Sequence, residues 1–193
     1  MIKAEALKKI LAASGTLRSQ DIADWQGPFV LPEDLQRFYA DVGPDDITIS
    51  NYGNAFFLPA LSRLWESQAG FRWNGVTGET ISDWSDDWLV IAQQEGDPFI
   101  YYRPTGAILW AQHGTGHWTP TELFSNIREC AAVLGTLGKI TDDAGDDFLD
   151  EDCFITPRYR AAAKSALTEI LGAPSQAENV LTTLEWVDAS AFS

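Results

Sequence analysis

Short apolar runs separated by turn residues fill the stretch from Trp84 to Trp118. The runs cover positions 87–94, 99–103 and 107–112, and Gly, Pro or Asp residues stand near the junctions. Runs of this kind are typical of β-strands, and the gaps between them are short enough for hairpins. The pattern therefore predicts three antiparallel strands in a meander.

The middle strand of this meander has two apolar faces. Because side chains alternate along a strand, Phe99 and Tyr101 face one way while Ile100 and Tyr102 face the other. We expect one face to pack under helices, and the other either to meet a second layer or to offer an aromatic surface to a partner. Residues 103–106, Arg-Pro-Thr-Gly, suit a type I turn that leads to the third strand.

Patterns on both sides of the meander add further elements. Apolar residues recur at helical spacing over residues 3–13 and 31–42, which predicts two N-terminal helices. Runs at 47–50 and 55–58 predict two more strands that extend the sheet. Residues 70–84 form a long loop, and loops of this length often carry function or cover a sheet edge.

The C-terminal third is predicted to be helical. Residues 119–122, Thr-Pro-Thr-Glu, match a capping box and predict a helix with Leu123 and Phe124 on its buried face. A helix from Thr156 to Gly172 and another opened by a second capping box at 175–178 predict a helical hairpin.

These elements predict an α+β fold in which an antiparallel meander sheet is packed by helices, with a C-terminal helical hairpin as an extension. A chain of 193 residues is long enough for one well-buried core and short for two. We expect residues 1–138 to form the α+β domain. Residues 139–193 are expected to add an acidic loop and the hairpin, packed on the same domain.

Charge changes the picture of possible partners. The chain has 13 Lys and Arg against 28 Asp and Glu, a formal net charge of −15. Such a field repels nucleic acid and anionic membranes and attracts basic proteins, although it can also serve only solubility. The N-terminus lacks the apolar run of a signal peptide and no stretch has the length of a membrane span, so the sequence predicts a cytoplasmic protein. Cys130 and Cys153 are expected to be reduced thiols.

Sequence motifs for the commonest enzyme sites are missing. The chain has no Gly-x-Ser-x-Gly, P-loop or His-Glu-x-x-His motif, each of which places catalytic groups on a known local geometry. His113 and His117 flank Gly-Thr-Gly, but as a metal pair they would need further ligands. The acids at 142–152 do not have the spacing of an EF-hand loop and are expected to form a solvated loop that could contact a basic protein. No metal or cofactor is predicted.

A carbohydrate site is an alternative that the aromatic residues leave open. Asp83, Asp86 and Asp87 stand near Trp84 and Trp88, and sugars are held by aromatic faces and cleaved by carboxylate pairs. Trp88 and Trp110 lie in strand patterns and are expected to pack in the core. Trp73, Trp84 and Trp118 lie in loops and are candidates for exposed contacts.

Several short motifs stand in a fixed order between residues 28 and 137. They are Leu31-Pro32-Glu33-Asp34-Leu35 followed by Tyr39 and Gly43, then Trp88 to Ala92, Gly96-Asp97-Pro98, Thr105 to Ile108, and a predicted helix that carries Phe124. Taken in this order, they resemble the SUKH superfamily, which includes yeast cell-wall-assembly regulators and many bacterial immunity proteins. Motif resemblance of this kind is a hypothesis about fold and function.

The resemblance implies an α+β fold without catalytic activity. For bacterial members it implies a toxin–antitoxin function, in which the protein binds and neutralises a polymorphic toxin, often a nuclease. Pro32, Leu35, Gly96, Asp97 and Pro98 match positions whose role is structural, and Asp97 is expected to hold the tight turn by bonding backbone amides.

The sequence therefore predicts an acidic, non-enzymatic immunity protein whose partner is a basic toxin domain. Alternatives are a regulatory adaptor on the same fold and a sugar-binding or glycosidase module. The predicted partner-binding residues form two groups. The first is Asp83, Trp84, Asp86, Asp87 and His117 near the sheet edge, and the second is Asp146, Asp147, Asp150 and Asp152.

Overall fold

A computed structural model describes residues 2–187 and confirms an α+β fold. Six strands form one antiparallel sheet in which neighbours in space are also neighbours in sequence. The strands are β1 (Ile47–Ile49), β2 (Phe56–Leu58), β3 (Trp88–Gln94), β4 (Asp97–Tyr102), β5 (Ile108–Trp110) and β6 (Thr121–Phe124). The meander predicted from the apolar runs is therefore present and includes both additional strands.

Five α-helices accompany the sheet in the described part of the chain. They are α1 (Ala4–Leu11), α2 (Glu33–Asp41), α3 (Ile127–Ala144), α4 (Pro157–Leu171) and α5 (Pro174–Thr183). The last two form the predicted helical hairpin. No helix within residues 2–187 is long and apolar enough to cross a membrane.

The two faces of β4 lie in two different cores. Phe99 and Tyr101 belong to a large core that includes helices α1 to α5, whereas Ile100 belongs to a smaller core with Phe71 and Trp84. Period-two alternation thus assigns the faces of this strand correctly. The second face of the sheet meets a second layer, which consists of the long connection between β2 and β3.

Strand β3 contains an irregularity that changes which residues face the large core. The register with β4 shifts between Val90 and Ala92, as at a β-bulge. Ile91 and Ala92 are consecutive, yet both join the large core. Next to the bulge, the buried Gln68 side chain donates to Val90 O at 2.9 Å and accepts from Val90 N–H at 2.8 Å. Strand β2 pairs with β3 only at Phe57 and Gln93, so it does not reach Val90. The Gln68 side chain therefore makes the backbone hydrogen bonds at Val90 that a neighbouring strand would otherwise make.

Helix α3 begins later than predicted. Leu123 and Phe124 lie on β6, so the prediction of a capping box and helix start at 119–122 is wrong. The helix starts at Ile127, where the Asn126 side chain accepts from Glu129 N–H at 3.0 Å and the Glu129 carboxylate accepts from Ser125 N–H at 2.8 Å. The first bond satisfies a free amide at the helix start, and the second ties the residue before the cap to the first turn.

Two other local predictions are corrected. The prediction of a second capping box at 175–178 is wrong, because α5 already begins at Pro174 and its N-cap, Ala173, makes no side-chain hydrogen bond. The turn between β4 and β5 begins one residue earlier than predicted, since Thr105 N–H donates to Tyr102 O at 3.2 Å.

Hydrophobic contacts join the C-terminal hairpin to the rest of the chain. The large core contains Leu7, Leu134, Leu167 and Leu181 together. The predicted boundary after residue 138 falls inside helix α3 and does not separate two structural units. The chain after α5 is held as well, because the buried Trp186 indole donates to Asn51 Oδ1 at 2.6 Å. The described residues thus share one large core across the predicted division. Both cysteines are free thiols, Cys130 buried and Cys153 exposed.

Helix α3 packs closely against β1 at a glycine, which leads to the first prediction. A Cβ at Gly138 would clash with Ile49 Cγ2 and lie 3.0 Å from Ser50 O. Alanine at an unconstrained helical position would stabilise by about 1 kcal/mol. We expect Gly138→Ala instead to lower the free energy of unfolding by roughly 1–3 kcal/mol, because the helix and strand must separate. Urea unfolding measures this, with Ser165→Ala on α4 as the control. An unchanged or raised midpoint would show that the contact is not tight.

The helical hairpin supplies a prediction about pH. Glu178 Oε2 lies 2.7 Å from Lys164 Nζ and Glu178 Oε1 accepts from Arg160, and these two cations lower the pKa of Glu178 below its ordinary 4.5. A carboxylate with a lowered pKa stabilises the fold above its unfolded pKa, and this contribution is lost as pH falls through the folded pKa. We expect Glu178→Gln to lower stability near about pH 7, and the difference from the native chain to vanish in acid. Glu169→Gln on α4 is the control, and a pH-independent difference would contradict the ion-pair explanation.

Candidate functional site

The alternate connections of the sheet meet at one end of the molecule. In an antiparallel meander every second connection lies at the same end, so the β1–β2, β3–β4 and β5–β6 connections are neighbours. We call the surface formed by Asp83 and residues 50–55, 95–97 and 111–120, together with residues 182–185 at the end of α5, the end surface. Two adjoining clefts lie there and share Gln112.

The larger cleft has a volume of about 360 Å³ and is lined by Glu95, Asp97, His113 and Glu185, among others. Asp97 Oδ1 accepts from His113 N–H at 2.6 Å and lies 2.7 Å from His113 Nδ1. The expectation that Asp97 holds its own tight turn is therefore corrected, since its carboxylate accepts from an amide of the β5–β6 connection. The turn itself is formed by Glu95 and Gly96, whose φ angles are 47° and 104°.

The smaller cleft has a volume of about 270 Å³ and contains two residues of the first predicted group. Asp83 Oδ2 accepts from Trp118 N–H at 3.2 Å and lies 3.9 Å from His117 Nδ1. The His117 side chain is exposed. The long β2–β3 connection and the β5–β6 connection thus meet at Asp83.

The third member of that group, Trp84, lies beneath the surface. Trp84 is only 7% exposed, so the expectation that it is an exposed contact residue is wrong. Its ring lies 5.6 Å from Phe71, 5.3 Å from Trp88 and 5.4 Å from Trp118 in centroid distance. These rings cover the second face of the sheet. Trp88 and Trp118 are half-buried there, so Trp118 offers only part of its surface.

Asp86 and Asp87 belong to the attachment of the β2–β3 connection. The Arg72 guanidinium donates to Asp86 Oδ1 at 2.7 Å, to Asp86 O at 2.9 Å and to Trp88 O at 2.7 Å. Asp87 O accepts from Arg103 N–H at 2.9 Å. Arg72 therefore fastens the aromatic layer to the start of β3, and Asp86 has a cationic partner within the chain.

The second predicted group follows α3. Asp147 pairs with Arg158 at 3.0 Å. Asp150 Oδ1 accepts from Asp152 N–H at 3.0 Å and from Phe154 N–H at 2.9 Å, which holds a turn. Asp146 and Asp152 are exposed. Two of the four aspartates thus also organise the segment that carries them.

Tyr52 connects the acidic segment to the end surface. Its hydroxyl donates to Cys153 O at 3.3 Å, and its ring lies 6.4 Å from Phe148. Because Tyr52 belongs to the β1–β2 connection, the second acidic group lies beside the same end of the sheet as Asp83 and His117. The structure therefore brings the second group beside Asp83 and His117, whereas Asp86 and Asp87 lie at the start of β3, at the opposite end of the sheet.

Most Lys and Arg side chains form ion pairs outside the end surface. Ion pairs join Arg18 to Asp45, Arg37 to Glu33, Arg63 to Asp46, Arg72 to Asp86, Arg128 to Asp41, Lys139 to Asp143, and Arg160 and Lys164 to Glu178. Within residues 2–187, no Lys or Arg pairs with Asp83, Glu95, Asp97 or Glu185. The end surface consequently carries negative charge without compensation from Lys or Arg.

Sequence reasoning missed part of this surface. Glu95 and His113 could have been assigned to it, because the alternate connections of a meander share one end. Glu185 could not, since its position depends on how the helical hairpin packs. Comparisons with protein-family models, curated proteins and solved structures find no match to this chain.

The attachment by Arg72 gives the next prediction. We expect Arg72→Met to lower the free energy of unfolding by roughly 3 kcal/mol, because it leaves several carbonyls and one carboxylate without their charged donor. Tryptophan fluorescence should also change, since Trp84 and Trp88 lie in the layer that Arg72 holds. Urea unfolding followed by fluorescence measures both.

The control for Arg72 is Arg37→Met. The Arg37 side chain is 64% exposed and forms one ion pair with Glu33, so its loss should cost less than about 0.5 kcal/mol. Equal costs for the two variants would contradict the role given to Arg72.

Proposed function

We propose that this protein is a non-enzymatic immunity protein that neutralises a toxin by binding a basic toxin domain, such as a nuclease domain. The binding region is the end surface with the adjoining acidic segment. The observation that carries the proposal is the absence of Lys or Arg partners for Asp83, Glu95, Asp97 and Glu185 within residues 2–187. Carboxylates without such partners can pair with the cations of another protein at little cost in broken ion pairs.

The shape of the molecule supports the same region. Both faces of the sheet are covered by other parts of the chain, so the connections at its ends are more accessible than the side chains of its central strands. Loops held by a rigid scaffold commonly carry binding residues. The net charge of −15 would also speed encounter with a basic protein.

The packing of the tryptophans weighs against the carbohydrate alternative. Trp84 is buried, Trp88 packs against it, and Asp86 is paired with Arg72. A glycosidase needs an aromatic face and a pair of carboxylates that are free to act on a sugar. Trp84, Asp86 and Trp88, which suggested such a site in the sequence, instead pack and attach the β2–β3 connection.

Capture of the partner tests the proposal. Tagged protein is incubated with native host lysate at low and moderate salt, and the retained proteins are identified by mass spectrometry. We expect a basic toxin whose retention falls with salt, because exposed charge pairs are screened. The double variant Glu95→Lys, Glu185→Lys should weaken its binding by at least about tenfold, and Asp146→Lys, Asp152→Lys should weaken it as well.

The control is a double variant with the same change in net charge, placed on another part of the protein. Glu5→Lys, Glu169→Lys places the same reversal on α1 and α4 and should leave retention nearly unchanged. Capture of a housekeeping complex instead of a toxin would contradict the immunity function and support a regulatory adaptor. Equal weakening by all variants would contradict the assignment to the end surface.

A further inference from the structure

The β5–β6 connection, residues 111–120, separates the two clefts and is held to the protein by few bonds. Its first residue, Ala111, donates its N–H to Pro98 O at 3.4 Å. Beyond it, the amides of residues 112–120 that have a hydrogen bond in the described structure are those of His113 and Trp118, and both donate to carboxylates. Residues 112–117 are all exposed. A segment with few buried contacts and few backbone bonds opens at low free energy.

The two ends of this segment are attached differently. Trp118 is packed, since its ring centroid lies 5.7 Å from that of Phe71 and 5.4 Å from that of Trp84. His113 is 61% exposed in its side chain, and it is held by Asp97. The end at Trp118 is therefore fixed by apolar packing, and the end at His113 by a single carboxylate.

The segment has room and freedom to move between these ends. Gly114 and Gly116 have φ angles of 78° and 86°, and a Cβ at either position would meet no atom within 4 Å. Glycine adopts left-handed and extended conformations with similar ease. No neighbouring residue packs against the side-chain position of either glycine, and glycine itself imposes little restriction on the backbone there.

We propose that residues 112–117 form a flap that turns about Trp118, with Asp97 as its latch. A Lys or Arg side chain of the bound protein takes the place of His113 at Asp97. Glu95 and Glu185 line the same 360 Å³ cleft as Asp97, so a cation there faces three carboxylates. A guanidinium can form two parallel bonds to one carboxylate, and such pairs are among the strongest hydrogen bonds in proteins.

The identity of the incoming cation rests on the proposed function, whereas the motion of the flap does not. Hydrogen–deuterium exchange of the free full-length protein, followed by mass spectrometry, tests the motion. We expect peptides covering 112–117 to exchange at least about tenfold faster than those of β4, because strand amides open only with the sheet. Asp97→Ala should speed exchange of the His113 amide, the one bonded amide within 112–117 of the described structure, by a further factor of about ten, through loss of a charge-assisted bond.

Two companion variants separate the latch from general destabilisation. Asp142→Asn on α3 removes an exposed carboxylate elsewhere and should leave the flap unchanged. Asp97→Asn keeps an oxygen acceptor and should give an intermediate rate. Exchange at 112–117 as slow as in β4, or unaffected by Asp97→Ala, overturns the flap. Asp97→Ala that speeds exchange equally in all strands also overturns it.

The exchange of partners at Asp97 is tested with a small cation. N-acetyl-L-arginine amide is added to the native protein at high concentration, and N-acetyl-L-glutamine amide at the same ionic strength is the control. The arginine compound should speed exchange at 112–117 in the native protein and have no effect in Asp97→Ala. No effect in the native protein overturns the substitution of a cation for His113. A flap that behaves as expected in a protein that captures no toxin would refute the proposed function alone.

Discussion

Burial of the central sheet on both faces is the constraint on which the other features depend. Phe99 and Ile100 are adjacent on β4 and point to opposite sides, yet neither is exposed. The helices cover one side, and the β2–β3 connection with its tryptophans covers the other. A sheet with two apolar faces is stable in water only when both are covered. The long irregular connection is therefore part of the core, and Arg72 and Gln68 fasten it where backbone pairing is missing.

This constraint decides where binding can take place. Side chains that point out of the sheet are used for packing, so polar residues that remain free lie in the connections at its ends. One of these ends brings together Asp83, the pair Glu95 and Asp97, and Glu185 from three distant parts of the chain. Their charges are not balanced by Lys or Arg, because most basic residues form ion pairs elsewhere. The same end contains the β5–β6 connection, which few hydrogen bonds hold to the protein.

The sequence was most informative where periodicity is strong and least informative at element starts. Strand β4 and the opposite faces of Phe99 and Ile100 follow directly from alternation. Thr121 and Glu122 resembled a helix start, but strand pairing used those residues and Asn126 capped the helix instead. The burial of Trp84 could not be predicted, because a tryptophan in a loop is exposed or buried according to tertiary packing. The pairs of Asp97 with His113 and of Asp83 with Trp118 join distant positions, and no local pattern specifies them.

Mapping the interface on the intact complex shows whether the partner binds at the end of the sheet. Backbone amide NMR signals of isotope-labelled protein are compared before and after the captured basic protein is added. We expect the largest changes in residues 52–54, 94–97, 112–118 and 182–185, with further changes in residues 146–153. Changes concentrated on α1 and α4, or around the exposed Val30, with the end of the sheet unaffected, would contradict this binding site.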